Sequence, residues 1–275
     1  NRIFLEHTRE LGDTLTAIAE DKSHVITGEQ KCVYFAEQEP EVLKVLVRRA
    51  EMLQVPYKFY GRDFQAENIR YTCSGMQFDV VIGDNIYPDL QIPLLGEHQA
   101  KNCALALAVC MDVMADLCRE SDAPDIFSET MCNQIRRQLS AIRHPGRMEI
   151  LHSNPFVLLD ACINAASCEN VKEVLRHLEI SNCTVIVGIP EDKDYAGVVR
   201  SMKDVAARII LTRSGNPHYH FSKHQRENPA LKGIAAEWTD SVQQALTLAG
   251  SCPDPIVILG TTSIISEVER IFRQS

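Results

Sequence analysis

The stretch Phe156 to Ile189, FVLLDACINAASCENVKEVLRHLEISNCTVIVGI, carries two near-continuous apolar runs separated by a mixed segment. It reads as a strand over Phe156–Ala161, a helix over Ala165–Leu178 and a second strand over Cys183–Ile189. The alternation continues with helix Ala196–Ala207, strand Arg208–Thr212, a short helix near Phe221–Arg226, strand Gly233–Trp238, helix Ser241–Ala249, strand Ile256–Gly260 and helix Ser263–Arg273. Strands this apolar need cover on both faces, and intervening helices supply it. The pattern therefore predicts an α/β fold with a doubly wound, mostly parallel sheet. No G-x-G-x-x-G follows the first strand, which argues against a dinucleotide-dependent dehydrogenase.

Upstream, His144-Pro145-Gly146 breaks the pattern and marks a domain boundary, giving residues 1–143 and 144–275. The first part opens with Ile3-Phe4-Leu5, read as a short buried strand. Glu6-His7-Thr8 stands at its carboxyl end, where open α/β sheets place ligands. A helix over Asp13–Lys22 follows, then short strands at Val25–Gly28 and Lys31–Ala36, an amphipathic helix over Pro40–Leu53 with proline in its first turn, and a strand at Tyr57–Tyr60. Asn68 to Pro88 alternates with period two around Gly83-Asp84-Asn85, the pattern of an antiparallel hairpin or meander.

Leu94 to Ala108, LLGEHQAKNCALALA, sets a polar cluster on the first turn of an apolar helix. From Ala100 to Leu117 that helix should be buried on most sides, with Asp112 and Asp116 exposed. Gln99 and Asn102 share a face. Their carboxamides offer the donor and acceptor that read the N6/N7 edge of adenine, and they also read as ordinary solvated groups of a helix start. A Pro/Asp/Ser-rich loop at Ser121–Asp125 and a helix over Ser128–Gln138 complete this part.

The formal charge is −9, from 28 Lys and Arg against 37 Asp and Glu, with no basic block. That argues against nonspecific binding to nucleic acid or an anionic membrane. No apolar run approaches the roughly 18 residues of a membrane span. The ten cysteines are scattered without CxxC spacing and read as buried reduced thiols, which points to a cytoplasmic, reducing compartment. The chain starts at Asn1 without methionine and reads as the middle of a longer polypeptide.

Seven segments stand in a fixed order: FLEHTRELGDTLTAIAEDK, VITGEQ, PLLGEHQAKN, HPGRMEIL, NPFVLLDACIN, VGIPEDKD and ILGTTS. Together they resemble the Mur ligase superfamily, and within it most closely the folylpolyglutamate synthase/dihydrofolate synthase family. The resemblance implies the end of a central ATP-binding domain followed by a Rossmann-like glutamate ligase domain. It also implies an ATP-dependent ligase that phosphorylates the carboxylate of a folate-like acceptor and joins it to glutamate. His7 would then ligate Mg²⁺, and Lys22, carbamylated, would support that metal. Gln99 and Asn102 would hold adenine, Arg147 would contact the ATP phosphates, Asp160 would bind ribose, and Asn164 would join the nucleotide set. A guanidinium and Mg²⁺ suit a reaction that brings anions together. On residue type alone Arg147 also reads as an interdomain ion pair, and Lys22 as a solvated helix-end lysine.

The departures matter as much. Ile163 stands where the family has histidine in DGAHNP, Ala161 where it has glycine, and Ala165 where it has proline. The family's glycine-rich phosphate loop is not among these residues. The glycine turns Gly188-Ile189-Pro190 and Gly260-Thr261-Thr262 lack its length and its lysine. Two other readings stay open: a noncatalytic paralogue that keeps the fold and acts as a nucleotide-binding or partner subunit, and a Mur-type ligase with a different acceptor.

Overall fold

A computed structural model describes residues 2–5, 11–72, 74–118 and 128–274. The chain divides into two compact units. The first runs to Ala141, apart from residues 73–75 and Pro93–Gly96, which group with the second; the second continues from Ile142.

In the first unit, helix α1 (Leu15–Ser23) starts at Thr14, whose hydroxyl accepts the Ala17 N–H at 3.1 Å. Strands β1 (Val33–Phe35) and β2 (Tyr57–Phe59) pair in parallel across helix α2 (Pro40–Met52), which has proline at its start as expected. Ile18, Ile26, Phe35, Val42, Leu46, Ala50 and Val55 form their shared core. The period-two region is a three-stranded sheet, β3 (Phe64–Thr72), β4 (Gly75–Ile82) and β5 (Asn85–Ile92), with β4 and β5 antiparallel. Helix α3 (Glu97–Cys118) packs on β3, and helix α4 (Glu129–Ser140) on β5.

Three expectations for this unit are corrected. Ile3–Leu5 is not a strand: the Ile3 N–H donates to the Gln38 side chain at 2.9 Å instead of a ladder, and Leu5 is exposed. Val25–Gly28 is a loop, because the Gln30 amide takes over its backbone groups. Gln30 Oε1 accepts from Thr27 and Gly28, and Nε2 donates to the Val25 carbonyl. In α3 Ala100, Ala104, Leu107, Ala108 and Met111 are buried as expected, but Asp112 and Asp116 are half-buried instead of exposed and two apolar residues face outward. Asp112 accepts from Tyr34 Oη and pairs with Lys58 Nζ at 2.6 Å, while Val113 and Leu117 are exposed. The loop at Ser121–Asp125 lies outside the described residues.

The second unit is a six-stranded sheet in the order β10-β9-β8-β11-β7-β6. Its strands are β6 (Glu149–Ser153), β7 (Phe156–Asp160), β8 (Cys183–Gly188), β9 (Ala206–Leu211), β10 (Glu237–Trp238) and β11 (Ile256–Gly260). All pairings are parallel except β6 with β7. Helices α5 (Ala165–His177), α6 (Tyr195–Met202), α7 (Val242–Ala249) and α8 (Thr262–Gln274) alternate with the strands. Helices α7 and α8 cover the face bearing Val157, Leu159, Ile186, Ile210, Ile256 and Ile258. The alternate residues Leu158, Val185, Val187, Val257 and Leu259 turn to the opposite face. Helices α5 and α6 pack on each other, and α6 packs on β8. The strand expected at Gly233–Trp238 shrinks to Glu237–Trp238, and β6 joins as an edge strand that the alternation does not reveal.

At the carboxyl ends of β8 and β11, Gly188 and Gly260 face each other in register. A Cβ on Gly260 would sit 2.6 Å from the Gly188 carbonyl oxygen, and one on Gly188 would sit 2.5 Å from Ile264. Backbone cannot yield as a side chain can. Gly260→Ala is therefore expected to lower the unfolding free energy by about 1–3 kcal/mol, measured by denaturant titration. An unchanged midpoint would show that the strands spread without cost.

Candidate functional site

The second unit presents its sequence-predicted residues at the carboxyl end of β7, the edge at which open parallel sheets bind ligands. Asp160 is the last residue of β7 and is buried. Its carboxylate oxygen accepts the Met148 N–H at 2.9 Å, which fastens the turn of residues 145–149 to the strand. The same turn receives a second bond, from the Ala161 N–H to the Gly146 carbonyl at 2.7 Å. Glycine is required at position 146: φ is +65°, and a Cβ there would lie 2.5 Å from Ile265. Met148 also has positive φ, +49°, an unfavoured conformation for a residue with a side chain.

Between these two anchored residues stands Arg147, exposed, with no side-chain hydrogen bond or ion pair among the described residues. A guanidinium so presented suits a bidentate anion. Asn164, half-buried, caps α5: its Oδ1 accepts the Ser167 N–H and hydroxyl, each at 2.9 Å. Its acceptor is thus committed to the helix, leaving its amide NH₂ as the group able to meet a ligand. Ile163 is half-buried on the same turn, and the buried Cys162 and Cys168 sulfurs lie 3.4 Å apart.

In the first unit, Gln99 is buried and Asn102 exposed on the opening turns of α3, and Asn102 Nδ2 donates to Gln99 Oε1 at 3.4 Å. The bond leaves the Gln99 NH₂ and the Asn102 oxygen, one donor and one acceptor, as an adenine edge requires. Lys22 is half-buried in the last turn of α1. His7 lies outside the described residues. Among the described residues no group of three His, Cys, Asp or Glu side chains could hold a metal. The nine described cysteines are free thiols, but only Cys162, Cys168 and Cys183 are buried, and Cys110 is exposed, so the expectation of uniform burial is corrected. No helix among the described residues is long and apolar enough to cross a membrane.

Two carboxylates that organise this edge were not singled out from sequence. Asp194 caps α6 through the Gly197 N–H at 2.9 Å, and its other oxygen accepts the Ala165 N–H, the first of α5, at 3.0 Å. Glu149 accepts the Gly146 N–H at 3.0 Å. Both had a signal, a carboxylate three residues from a glycine: D-x-x-G at 194–197 and G-x-x-E at 146–149.

Residues 5–110 match the model of the Mur ligase middle domain. The chain is 28% identical over 282 residues to a probable bifunctional folylpolyglutamate synthase/dihydropteroate synthase of Haloferax volcanii, covering 96% of this chain and 30% of that protein. It is 27% identical to the folylpolyglutamate synthase of Lacticaseibacillus casei, covering 98% of this chain and 60% of that one. The folylpolyglutamate synthase of Mycobacterium tuberculosis, solved with ADP and AMPPCP, superposes with a TM-score of 0.84 at 22% identity, covering 98% of this chain and 62% of that structure. The chain thus spans 30% to 60% of the length of these two curated relatives. Residues 5–110 thus resemble a Mur ligase middle domain, and nearly the whole chain is similar in sequence and in fold to folylpolyglutamate synthases.

Burial pushes the Asp160 carboxyl up to about 6, against the opposing pull of the Met148 N–H, the Arg147 charge and the Cys162 N–H. The folded value lies above the ordinary 3.8. The stability this group contributes is therefore fully present below about pH 4 and is lost as pH rises through about 6. A two-unit shift corresponds to about 3 kcal/mol. Asp160→Asn cannot titrate, so wild type should lose about 2–3 kcal/mol relative to the variant between pH 4 and 7 in denaturant titrations. A pH-independent difference would show the carboxyl to be ionised throughout.

Proposed function

We propose that this chain is the adenine-, ribose- and phosphate-contacting part of an ATP-dependent ligase joining glutamate to a folate or dihydropteroate carboxylate. The acceptor carboxylate attacks the γ-phosphorus of ATP, giving an acyl phosphate and ADP. The glutamate amine then attacks the acyl carbon, the amide forms and phosphate leaves. The observation that carries this reading is Arg147, aimed outward from a turn braced on both sides with no side-chain partner among the described residues.

In the second unit, Arg147 holds the phosphates and offsets charge as the phosphoryl group moves, Asp160 takes the ribose hydroxyls, and Asn164 offers its NH₂ from the head of α5. In the first unit, Gln99 and Asn102 receive adenine. Mg²⁺ would supply further charge neutralisation, with His7 as its ligand and carbamylated Lys22 beside it. We place the protein in a reducing, cytoplasmic compartment, on the strength of its free thiols.

Phosphate release by the intact protein, assayed with ATP, Mg²⁺, glutamate and a panel of pteroate and amino-acid or peptide acceptors, tests this reading. Arg147→Ala is expected to lower turnover by about 10² to 10³, and Lys22→Ala to reduce it as well. Wild-type activity in either variant removes that residue from the site. Among the described residues no glycine-rich loop with a lysine is present to cradle the β- and γ-phosphates, so these 275 residues by themselves should release no phosphate and bind ATP no tighter than about millimolar. Ile163, apolar where the family has histidine, favours a second reading as a noncatalytic, nucleotide-binding paralogue. Turnover with any acceptor eliminates it, and turnover only with a non-folate acceptor redirects the first.

A further inference from the structure

We propose that Glu149 is a positioning residue for this reaction, acting with Arg143 to hold the turn of residues 145–149 in the shape that aims Arg147 outward. The proposal rests on the reading of Arg147 as the phosphate-binding group. Glu149 is only 14% exposed, and both its oxygens are engaged. One accepts the Gly146 N–H at 3.0 Å, closing the turn from its own far end. The other accepts Arg143 Nη2 at 2.9 Å and Nε at 3.2 Å, a two-point grip on the residues leading into the turn. Arg143 Nη2 also lies 3.3 Å from Glu269 of α8, which is 14% exposed and has Arg273 at 3.7 Å.

The turn is therefore tied to β7 through Met148 and Ala161, and closed on itself by Glu149, which Arg143 links to α8. The first set of ties fixes where the turn sits. Glu149 fixes its internal shape, since it is the link that joins residue 146 to residue 149 and spans Arg147. The constraint matters because Met148 is held at positive φ. Without the Glu149 acceptor, the Gly146 amide loses its partner and residues 146–148 can relax to a more favoured backbone. The anchor at Asp160 can survive such a change while the direction of the Arg147 side chain does not. An arginine recognises phosphate through a planar fork, so a change in aim costs more than a change in distance.

The test compares Glu149→Ala and Glu149→Gln, each in the wild-type and Arg147→Ala backgrounds of the intact protein, by amide hydrogen exchange over residues 144–150 and by kcat/KM for ATP. Glu149→Ala should speed exchange at Gly146 and Met148 tenfold or more. It should lower kcat/KM tenfold or more in the wild-type background and change it less than twofold once Arg147 is gone. Glu149→Gln keeps an oxygen for the Gly146 N–H but loses the charge that Arg143 grips, and should fall between. It carries the comparison if the alanine variant does not fold. Unchanged exchange, or an equal loss of kcat/KM in both backgrounds, overturns the proposal. If the parent protein turns over no ATP, that result counts against the ligase reading, and the exchange measurement alone decides whether Glu149 holds the turn.

Discussion

The second unit is organised by a hydrogen bond between one backbone amide and one buried carboxylate, Met148 N–H to Asp160. The carboxylate ends the sheet's β7 and the amide belongs to the turn that enters the sheet, so this bond joins the entry of the unit to the carboxyl edge of its sheet. Asp160 is buried because β7 lies between β11 and β6. A buried carboxylate is costly without donors, and the Met148 N–H lessens that cost while locking the turn. The positive φ of Met148 and the glycine at 146 follow from the path the chain takes to reach that donor position. The exposed Arg147 side chain is what remains when both its neighbours are committed inward.

Much of this was legible in the sequence for physical reasons. Strands covered on both faces must be apolar throughout, and that period announces itself, so β7, β8, β9 and β11 and their helices stand within a few residues of their expected places. What stayed hidden rests on polar substitution for backbone pairing. Gln38 and Gln30 satisfy amides that the apolar runs Ile3–Leu5 and Val25–Gly28 would otherwise have offered to strands, and a side chain reaching over from another segment leaves no periodic trace. Strand β6 was missed because an edge strand of five residues, exposed at its end, carries too little apolar alternation. Among site residues, proximity within a motif was readable, as for Gln99 with Asn102. Long-range roles were not: nothing local shows that Asp194 reaches Ala165.

The first unit shows how composition misleads about a helix face. Helix α3 is rich in alanine, cysteine and leucine, which implies burial on most sides. Its two aspartates are instead drawn into contact, Asp112 by Tyr34 and Lys58 and Asp116 by Lys31 at 3.5 Å. Tyr34 of β1 and Lys58 of β2 hold Asp112, while Ala100, Ala104, Leu107, Ala108 and Met111 stay buried and Val113 and Leu117 face outward. The polar first turn, with Gln99 and Asn102 bonded to each other, is unaffected by these contacts because it lies at the end of the helix.

Asp194 serves the starts of α5 and α6 with its two oxygens. Ala165 can donate to it only because it is not proline, and Gly197 must stay glycine because a Cβ there would lie 2.2 Å from the carboxylate. Positions 165, 194 and 197 are therefore physically coupled through one carboxylate. A proline at 165 would have no amide for that oxygen, so any change at 194 is felt at the heads of two helices at once. Sequence divergence along this edge should run in linked steps, with these three sites changing together or not at all.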